Sequence, residues 1–231
     1  MAKTKKKEKG SEFYENPEVL AQQLTKTEEF IENNKKVVFG LGGIIALVIV
    51  AFFGFRYYMN NLNQEAQKEM FQAVYWFENG ELDKALNGDG NSFGFLSLVE
   101  DYKSTQSANL SNYYLGSIYL KQGEFQTAID HLESFGSDDL LVQSRAYALV
   151  GDAYMELGNY TLAAEAYGKA ARYKSTKEFT PQYLMKQGLA FEQANDLDKA
   201  KASYKQVVEK FETSREFTDA QKYLSMLEAK K

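Results

Sequence analysis

Cysteine is absent from this sequence of 231 residues, and histidine occurs only once. Without cysteine the chain can form no disulfide bond, carries no lipid-modified cysteine and has no thiolate chemistry. The one histidine, His131, therefore has no cysteine with which to complete a metal or nucleophile set. Because we identify no catalytic residue, no metal site and no cofactor site, we predict a binding protein rather than an enzyme.

Proline is also scarce, and basic residues do not outnumber acidic ones. The two prolines, Pro17 and Pro181, stand in a chain rich in Ala, Leu, Lys, Glu and Tyr, which favours helix throughout. The 27 Lys and Arg residues against 32 Asp and Glu residues give a net charge of −5. Because an acidic chain gains nothing from neutralising phosphates, we expect no nucleic acid partner.

One loop matches part of a calcium-binding template. Four residues fall at positions 1, 3, 6 and 12 of an EF-hand loop: Asp89, Asn91, Gly94 and Glu100. Position 5 is Phe93, however, and the residues that follow are typical of the start of an apolar helix rather than of a ligand loop. We therefore predict no calcium site in this loop.

Long uncharged apolar runs are missing except for one, which covers the nineteen residues Val37 to Phe55. A helix of this length is roughly 28 Å long and matches the roughly 30 Å hydrocarbon thickness of a bilayer. A cleaved signal peptide has a short basic start, whereas 36 residues precede this run and Arg56-Tyr57-Tyr58 follow its last residue. We therefore predict that residues 37–58 form a transmembrane signal anchor.

The distribution of basic residues predicts the orientation of this anchor. Residues 1–36 carry eight lysines, whereas the twenty residues after the apolar run carry two basic residues. By the positive-inside rule, residues 1–36 form a cytoplasmic tail with many basic and acidic residues, and residues 59–231 form a periplasmic domain. Within the tail, Pro17 can start a short amphipathic helix that would contact either lipid or a partner protein.

Small residues recur along the apolar run at Gly42, Gly43, Ala46 and Gly54. A helix face with so little side chain lets another transmembrane helix approach closely. We expect this face to pack against a membrane partner. The alternative is the ordinary glycine content of transmembrane helices.

After the anchor, one motif occurs three times. Its copies are Leu115-Gly116-x-x-Tyr119 with Ala128, Val150-Gly151-x-x-Tyr154 with Ala163, and Gln187-Gly188-x-x-Phe191 with Ala200. The glycines are 35 and then 37 residues apart, and a bulky residue follows four positions after each alanine. The pattern predicts pairs of helices that pack closely at the small residues and must stack to bury their apolar faces.

This motif resembles the tetratricopeptide repeat, with three clear repeats over about residues 109–214. A degenerate repeat precedes them around Trp76, Gly80 and Ala85, and a capping helix follows Glu212. The resemblance implies an all-α fold: a single N-terminal transmembrane helix followed by a tetratricopeptide-repeat α-solenoid. It also implies that the first helix of each repeat lines a concave groove for peptides or partner helices.

Counting from each glycine places nine residues in this predicted groove. They are Tyr113, Ser117, Leu120, Ala148, Asp152, Met155, Met185, Leu189 and Glu192. Their mixture of apolar and polar side chains, with adaptable methionines, suits irregular contacts with a polypeptide. The alternative for Leu120 and Leu189 is that they pack between neighbouring repeats.

The order of parts over the whole chain is similar to that of the YfgM-like family of ancillary subunits of the bacterial SecYEG translocon. The residues that carry this resemblance are Phe30 to Lys36 before the span and Gly54 to Tyr58 at its end. The resemblance implies a place in the inner membrane beside the SecYEG translocon and a PpiD-like anchored chaperone as partner. It also implies chaperone-like contact with translocating polypeptides. The alternative is a cell-envelope scaffold that is not linked to export.

Overall fold

The structure is a computed structural model that describes residues 17–229. Residues 1–16 of the predicted tail lie outside the described residues. In the described range the chain forms helices and no β-strand, apart from an isolated bridge between Gly88 and Phe93. The prediction of an all-α chain is confirmed.

Eleven helices follow one another in the described part of the chain. They are α1 Pro17–Asn33, α2 Lys35–Glu78, α3 Leu82–Asn87, α4 Phe95–Asp101, α5 Gln106–Gln122, α6 Phe125–Ser134, α7 Leu140–Glu156, α8 Tyr160–Arg172, α9 Thr180–Gln193, α10 Leu197–Lys210 and α11 Phe217–Ala229. The chain divides into two compact units, Met1–Met59 and Asn60–Lys231.

The first unit holds α1 and the apolar part of α2. Among the described helices, α2 is the one long and apolar enough to cross a membrane, and none of the apolar window that defines it is buried. The helix begins at Lys35 and continues to Glu78, so it extends well beyond the predicted end of the anchor at Tyr58. A Cβ atom added to Gly42, Gly43 or Gly54 would meet no atom within 4 Å, and Ala46 is exposed.

The second unit is a stack in which each helix from α4 onward packs on the next one. Helices α5 and α6, α7 and α8, and α9 and α10 form the three clear repeats, and α11 packs on α10 as a cap. Buried alanines mark the second helix of each repeat: Ala128, Ala163 and Ala200 are fully inaccessible to solvent. The predicted α-solenoid is therefore confirmed.

The same turn closes the first helix of each repeat, including the degenerate one. The residue at the turn has a left-handed backbone, with φ of +77° at Gly80, +82° at Gly123, +72° at Gly158 and +59° at Asn195. In each case the next backbone N–H donates to the carbonyl five residues earlier, at 2.8 to 2.9 Å, on Trp76, Tyr119, Tyr154 and Phe191. This is the hydrogen bond of a Schellman C-cap, for which glycine or asparagine is the favoured residue. The degenerate repeat thus has the same turn as the clear ones.

The glycines of the repeat motif lie against a bulky side chain sixteen residues later. A Cβ atom on Gly116 would lie 2.4 Å from Cγ of Leu132, and one on Gly188 would lie 2.4 Å from Cε1 of Tyr204. Such distances are shorter than van der Waals contact allows, so each pair of helices approaches as closely as its glycine permits.

The single histidine lies between the two helices of the first repeat. Nδ1 of His131 is 2.9 Å from Oδ1 of Asn112, and the imidazole stacks on the ring of Tyr119 with their centroids 5.4 Å apart. Burial lowers the pKa of His131 below its ordinary value, and the charge of Asp130 opposes this shift. Asn112 of α5 therefore has a hydrogen-bonding partner on α6.

Replacing Gly151 by alanine should destabilise the stack. The added Cβ would lie 2.6 Å from Cε1 of Tyr167, whose ring is buried and whose hydroxyl is held by Asp152. We expect the free energy of unfolding of the full chain, measured by chemical denaturation in detergent, to fall by about 1 to 3 kcal/mol. Gly136→Ala is the matched control, because a Cβ there meets no atom within 4 Å. Equal stability of the two variants would contradict the assigned packing.

The imidazole of His131 should titrate below the ordinary histidine pKa of about 6.5 because burial disfavours its charged form. The sequence has no other histidine, so the imidazole signals in an NMR titration of the full chain belong to this residue. Since the unfolded chain then binds the proton more tightly, this group lowers stability as the pH falls below the unfolded value. A measured pKa at or above the ordinary value would mean that the ring is not held between α5 and α6.

Candidate protein-binding groove

The nine residues predicted for the groove lie on α5, α7 and α9, the first helices of the three repeats. Seven of them reach the surface at least in part, namely Tyr113, Leu120, Asp152, Met155, Met185, Leu189 and Glu192. Ser117 and Ala148 are buried, and the Ser117 hydroxyl donates within its own helix to the carbonyl of Tyr113. The predicted set is thus spread over three helices, and two of its residues are buried.

A cavity of about 410 Å³ lies between α7 and α9. Two of the predicted residues, Ala148 and Asp152, line it. The other lining residues were not in the predicted set: Leu141, Arg145, Leu149, Phe179, Gln182, Tyr183 and Lys186. We call this cavity the α7–α9 groove.

The residues missed by sequence analysis follow from helical spacing. Leu141 and Arg145 precede Ala148 and Asp152 on the same face of α7, at intervals of three and four residues. On α7 the three positions counted from Gly151 begin at Ala148, the middle of the helix, and so leave out its first two turns. Continuing the same face toward the start of α7 would have found both residues.

The groove carboxylate of Asp152 is already bound by two side chains of the same unit. The Tyr167 hydroxyl donates to Oδ1 of Asp152 at 2.6 Å, and Nζ of Lys186 lies 2.7 Å from the same oxygen. Burial, and then the hydrogen bond to this carboxylate, raise the pKa of Tyr167 far above its ordinary value. Asp152 therefore joins α7, α8 and α9, and its charge is balanced by Lys186.

Glu192 is held in the same way one repeat later. The Tyr204 hydroxyl donates to Oε1 of Glu192 at 2.5 Å, and burial together with this hydrogen bond raises the pKa of Tyr204. The tyrosines that contact Gly151 and Gly188 are thus the ones that hold the carboxylates of the first helices. Both carboxylates fasten one helix of a repeat to the other.

Arg145 differs from these charged residues because it is exposed and forms none of the ion pairs found among residues 17–229. Its charge lowers the pKa of both Tyr113 and Tyr183, against the larger effect of burial, which raises the pKa of each. Arg145 lines the groove together with Tyr183 of α9. Leu141, beside it, is 50% exposed, and Phe179 is also exposed.

A second cavity, of about 490 Å³, lies between α6, α7 and α8. Its apolar walls include Leu132, Phe135, Tyr147, Val150 and Leu162, and its charged residues are Glu133, Glu165 and Lys169. The residues of α7 that line this cavity lie on the opposite face of the helix from those that line the α7–α9 groove. The two cavities therefore open on different sides of α7. Sequence analysis missed this cavity, which lies beside the C-terminal end of α6 at Ser134.

The loop that matches part of the EF-hand template is closed by its own hydrogen bonds. Oδ1 of Asp89 accepts the backbone N–H groups of Ser92 and Asn91, each at 2.9 Å, and these bonds lower the pKa of Asp89. Among the residues that the structure describes, no cluster of three or more His, Cys, Asp or Glu side chains could hold a metal ion. Asp89 therefore acts as a turn residue here.

Comparison with known families gives two matches, both to the tetratricopeptide repeat. One covers residues 111–138, which include the first clear repeat, and the other covers residues 149–215, which include most of the second and the third. No curated protein matches the chain. The tetratricopeptide repeat is a module of protein–protein interaction, and this function agrees with an open groove on the first helices. The matched segments and the repeated helix pairs together show that residues 111–138 and 149–215 are similar to tetratricopeptide repeats.

Proposed function

We propose that this protein is a membrane-anchored subunit that binds polypeptide segments in the α7–α9 groove on the periplasmic side of a bacterial inner membrane. In this proposal α2 anchors the chain beside the SecYEG translocon. The repeat domain then acts as a chaperone-like ancillary module, which receives translocating polypeptides or part of a PpiD-like anchored chaperone.

The observation that carries the proposal is an open groove with exposed apolar side chains on a scaffold of tetratricopeptide repeats. Leu141 and Phe179 expose a large part of their surface at the groove, and Leu189 is 48% exposed further along α9. Apolar side chains in a concave site bind well to the apolar residues of an extended chain. A polypeptide with occasional apolar residues is therefore the partner that this surface suits.

The anchor is supported by the composition and exposure of α2. Its apolar residues from Val37 to Phe55 are exposed to the surroundings, apart from Val38, which is partly exposed, and lipid would cover them. The unobstructed face at Gly42, Gly43, Ala46 and Gly54 would then let a helix of the channel pack closely. The lysines before the span favour retention of the N-terminus in the cytoplasm.

The orientation can be tested with protease on spheroplasts. We expect the repeat domain of the full chain to be digested from outside at the same protease concentration that digests known periplasmic proteins. An epitope placed before Lys35 should stay protected until the membrane is permeabilised. A repeat domain that stays intact in intact spheroplasts would mean that the orientation is reversed.

The binding partner can be tested by a photo-crosslinking amino acid at Leu141 of the full chain in living cells. We expect adducts with channel subunits and with many translocating chains, and the latter should disappear when export is blocked. Leu162 is the matched control, because it is similarly exposed at 43% but lines the cavity between α6 and α8.

Three outcomes distinguish the alternatives. One stable adduct that does not depend on export would favour the cell-envelope scaffold. Absence of any protein adduct at Leu141 would contradict binding in the α7–α9 groove. Equal adducts at Leu141 and Leu162 would mean that the partner does not prefer the α7–α9 groove over the other cavity.

A further inference from the structure

We propose that Arg145 makes the α7–α9 groove selective for polypeptide segments in which an acidic side chain lies between apolar residues. This inference rests on the proposed function, because it names the chemical class of segment that the groove takes. It is carried by the charges, the hydrogen bonds and the apolar positions around this one side chain.

Three charged side chains line the groove: Arg145, Asp152 and Lys186. Lys186 and Asp152 form an ion pair at 2.7 Å and cancel each other, and Asp152 also accepts from Tyr167. Arg145 has no such carboxylate among the described residues, so it is the uncompensated charge of the groove lining. A carboxylate on a bound segment would supply the missing counter-charge.

The hydrogen-bond donors at Arg145 suit a carboxylate. A guanidinium group presents a planar fork of N–H donors that matches the two oxygens of a carboxylate. Gln182 and Tyr183 of α9 line the same groove as Arg145 and offer further donors. An acidic side chain bound at Arg145 would therefore have donors from more than one helix within reach.

The apolar side chains around Arg145 indicate where the acidic residue lies along the bound segment. Leu141 precedes Arg145 by one helical turn and Leu149 follows it by one turn, and both line the groove. Apolar side chains therefore stand on both sides of the cation along α7. A chain that passes through the groove can fill both apolar positions, whereas a chain that ends at Arg145 fills only one. The structure thus favours an acidic side chain within the segment over a C-terminal carboxylate.

The test uses the full chain in detergent and short fluorescein-labelled peptides whose fluorescence anisotropy reports binding. Three peptides have a blocked C-terminus and leucines on both sides of a central residue, which is Glu, Gln or Lys. A fourth peptide has a central Gln and a free C-terminal carboxylate. We expect the Glu peptide to bind about tenfold or more tightly than the Gln peptide, as a charge-assisted hydrogen bond predicts.

Arg145→Gln should reduce the affinity for the Glu peptide to that for the Gln peptide, and Arg145→Glu should make the Lys peptide the preferred one. Because Arg145 is exposed, both variants should keep the circular dichroism and melting behaviour of the parent chain. Lys169→Gln is the matched control: this cation lines the other cavity, and its loss should leave the preference for Glu unchanged.

Several results would overturn the proposal. They are equal binding of the Glu and Gln peptides, a preference for Glu that persists in Arg145→Gln, or a preference lost in Lys169→Gln. If the peptide with a free C-terminus binds most tightly, the groove recognises a C-terminal carboxylate rather than an internal acidic side chain. If crosslinks at Leu141 still trap exported chains while peptides show no preference, only the selectivity fails. If Leu141 traps no protein, the proposed function fails as well.

Discussion

The contact between a glycine on the first helix and a bulky side chain on the second sets the spacing of each repeat. Gly151 faces the ring of Tyr167 and Gly188 faces that of Tyr204, both at distances that leave no room for a Cβ atom. Once the ring lies flat against the glycine, its hydroxyl reaches a carboxylate one or four residues further along the first helix, Asp152 or Glu192. In each of these repeats the same tyrosine therefore contacts the glycine and holds a carboxylate, and in the second repeat that carboxylate, Asp152, lines the groove.

In the degenerate repeat both the glycine and the bulky side chain that faces it are missing. Counting back from the turn at Gly80 places Ala73 where the clear repeats have glycine, and Ala73 is fully buried. The second helix of this repeat, α3, ends at Asn87, so no bulky side chain of that helix can reach Ala73 from the position it occupies in the other repeats. With that side chain missing, a methyl group fits. The volume is filled instead by α4, where Phe95 and Leu98 are buried and Phe95 stacks on Tyr114 with their centroids 4.7 Å apart.

Sequence analysis could predict the fold because the repeat is encoded locally. The left-handed turns need glycine or asparagine, the tight helix pairs need glycine, and both signals recur at a nearly constant interval. Analysis of the groove was less successful, because its lining depends on which part of two neighbouring helices is left uncovered. Ala148 and Asp152 line the α7–α9 groove as expected from their helix face, but Arg145 lies one turn outside the positions that were counted.

Sequence also could not distinguish a structural carboxylate from a free one. Asp152 and Glu192 appeared as polar residues open to a ligand, and only the tyrosine hydroxyls fifteen and twelve residues away along the chain show that they are engaged. The second cavity was missed for a related reason. It exists because α6 ends at Ser134 and the chain continues through Phe135 and Gly136, which line the space beside α8. A small difference in helix length is invisible in a repeat motif whose matched positions all lie earlier.

The engagement of the carboxylates has a consequence for recognition. If Asp152 were free, it would attract basic segments; bound to Lys186 and Tyr167, it gives the groove no net negative charge. An unpaired Asp152 beside Arg145 would also supply an internal partner for that cation. Because the hydrogen bond from Tyr167 and the ion pair with Lys186 both use Oδ1 of Asp152, the carboxylate is drawn toward α8 and α9, and Arg145 is left for a partner from outside. The packing that joins the helices of the repeat thus also determines which charge the groove presents.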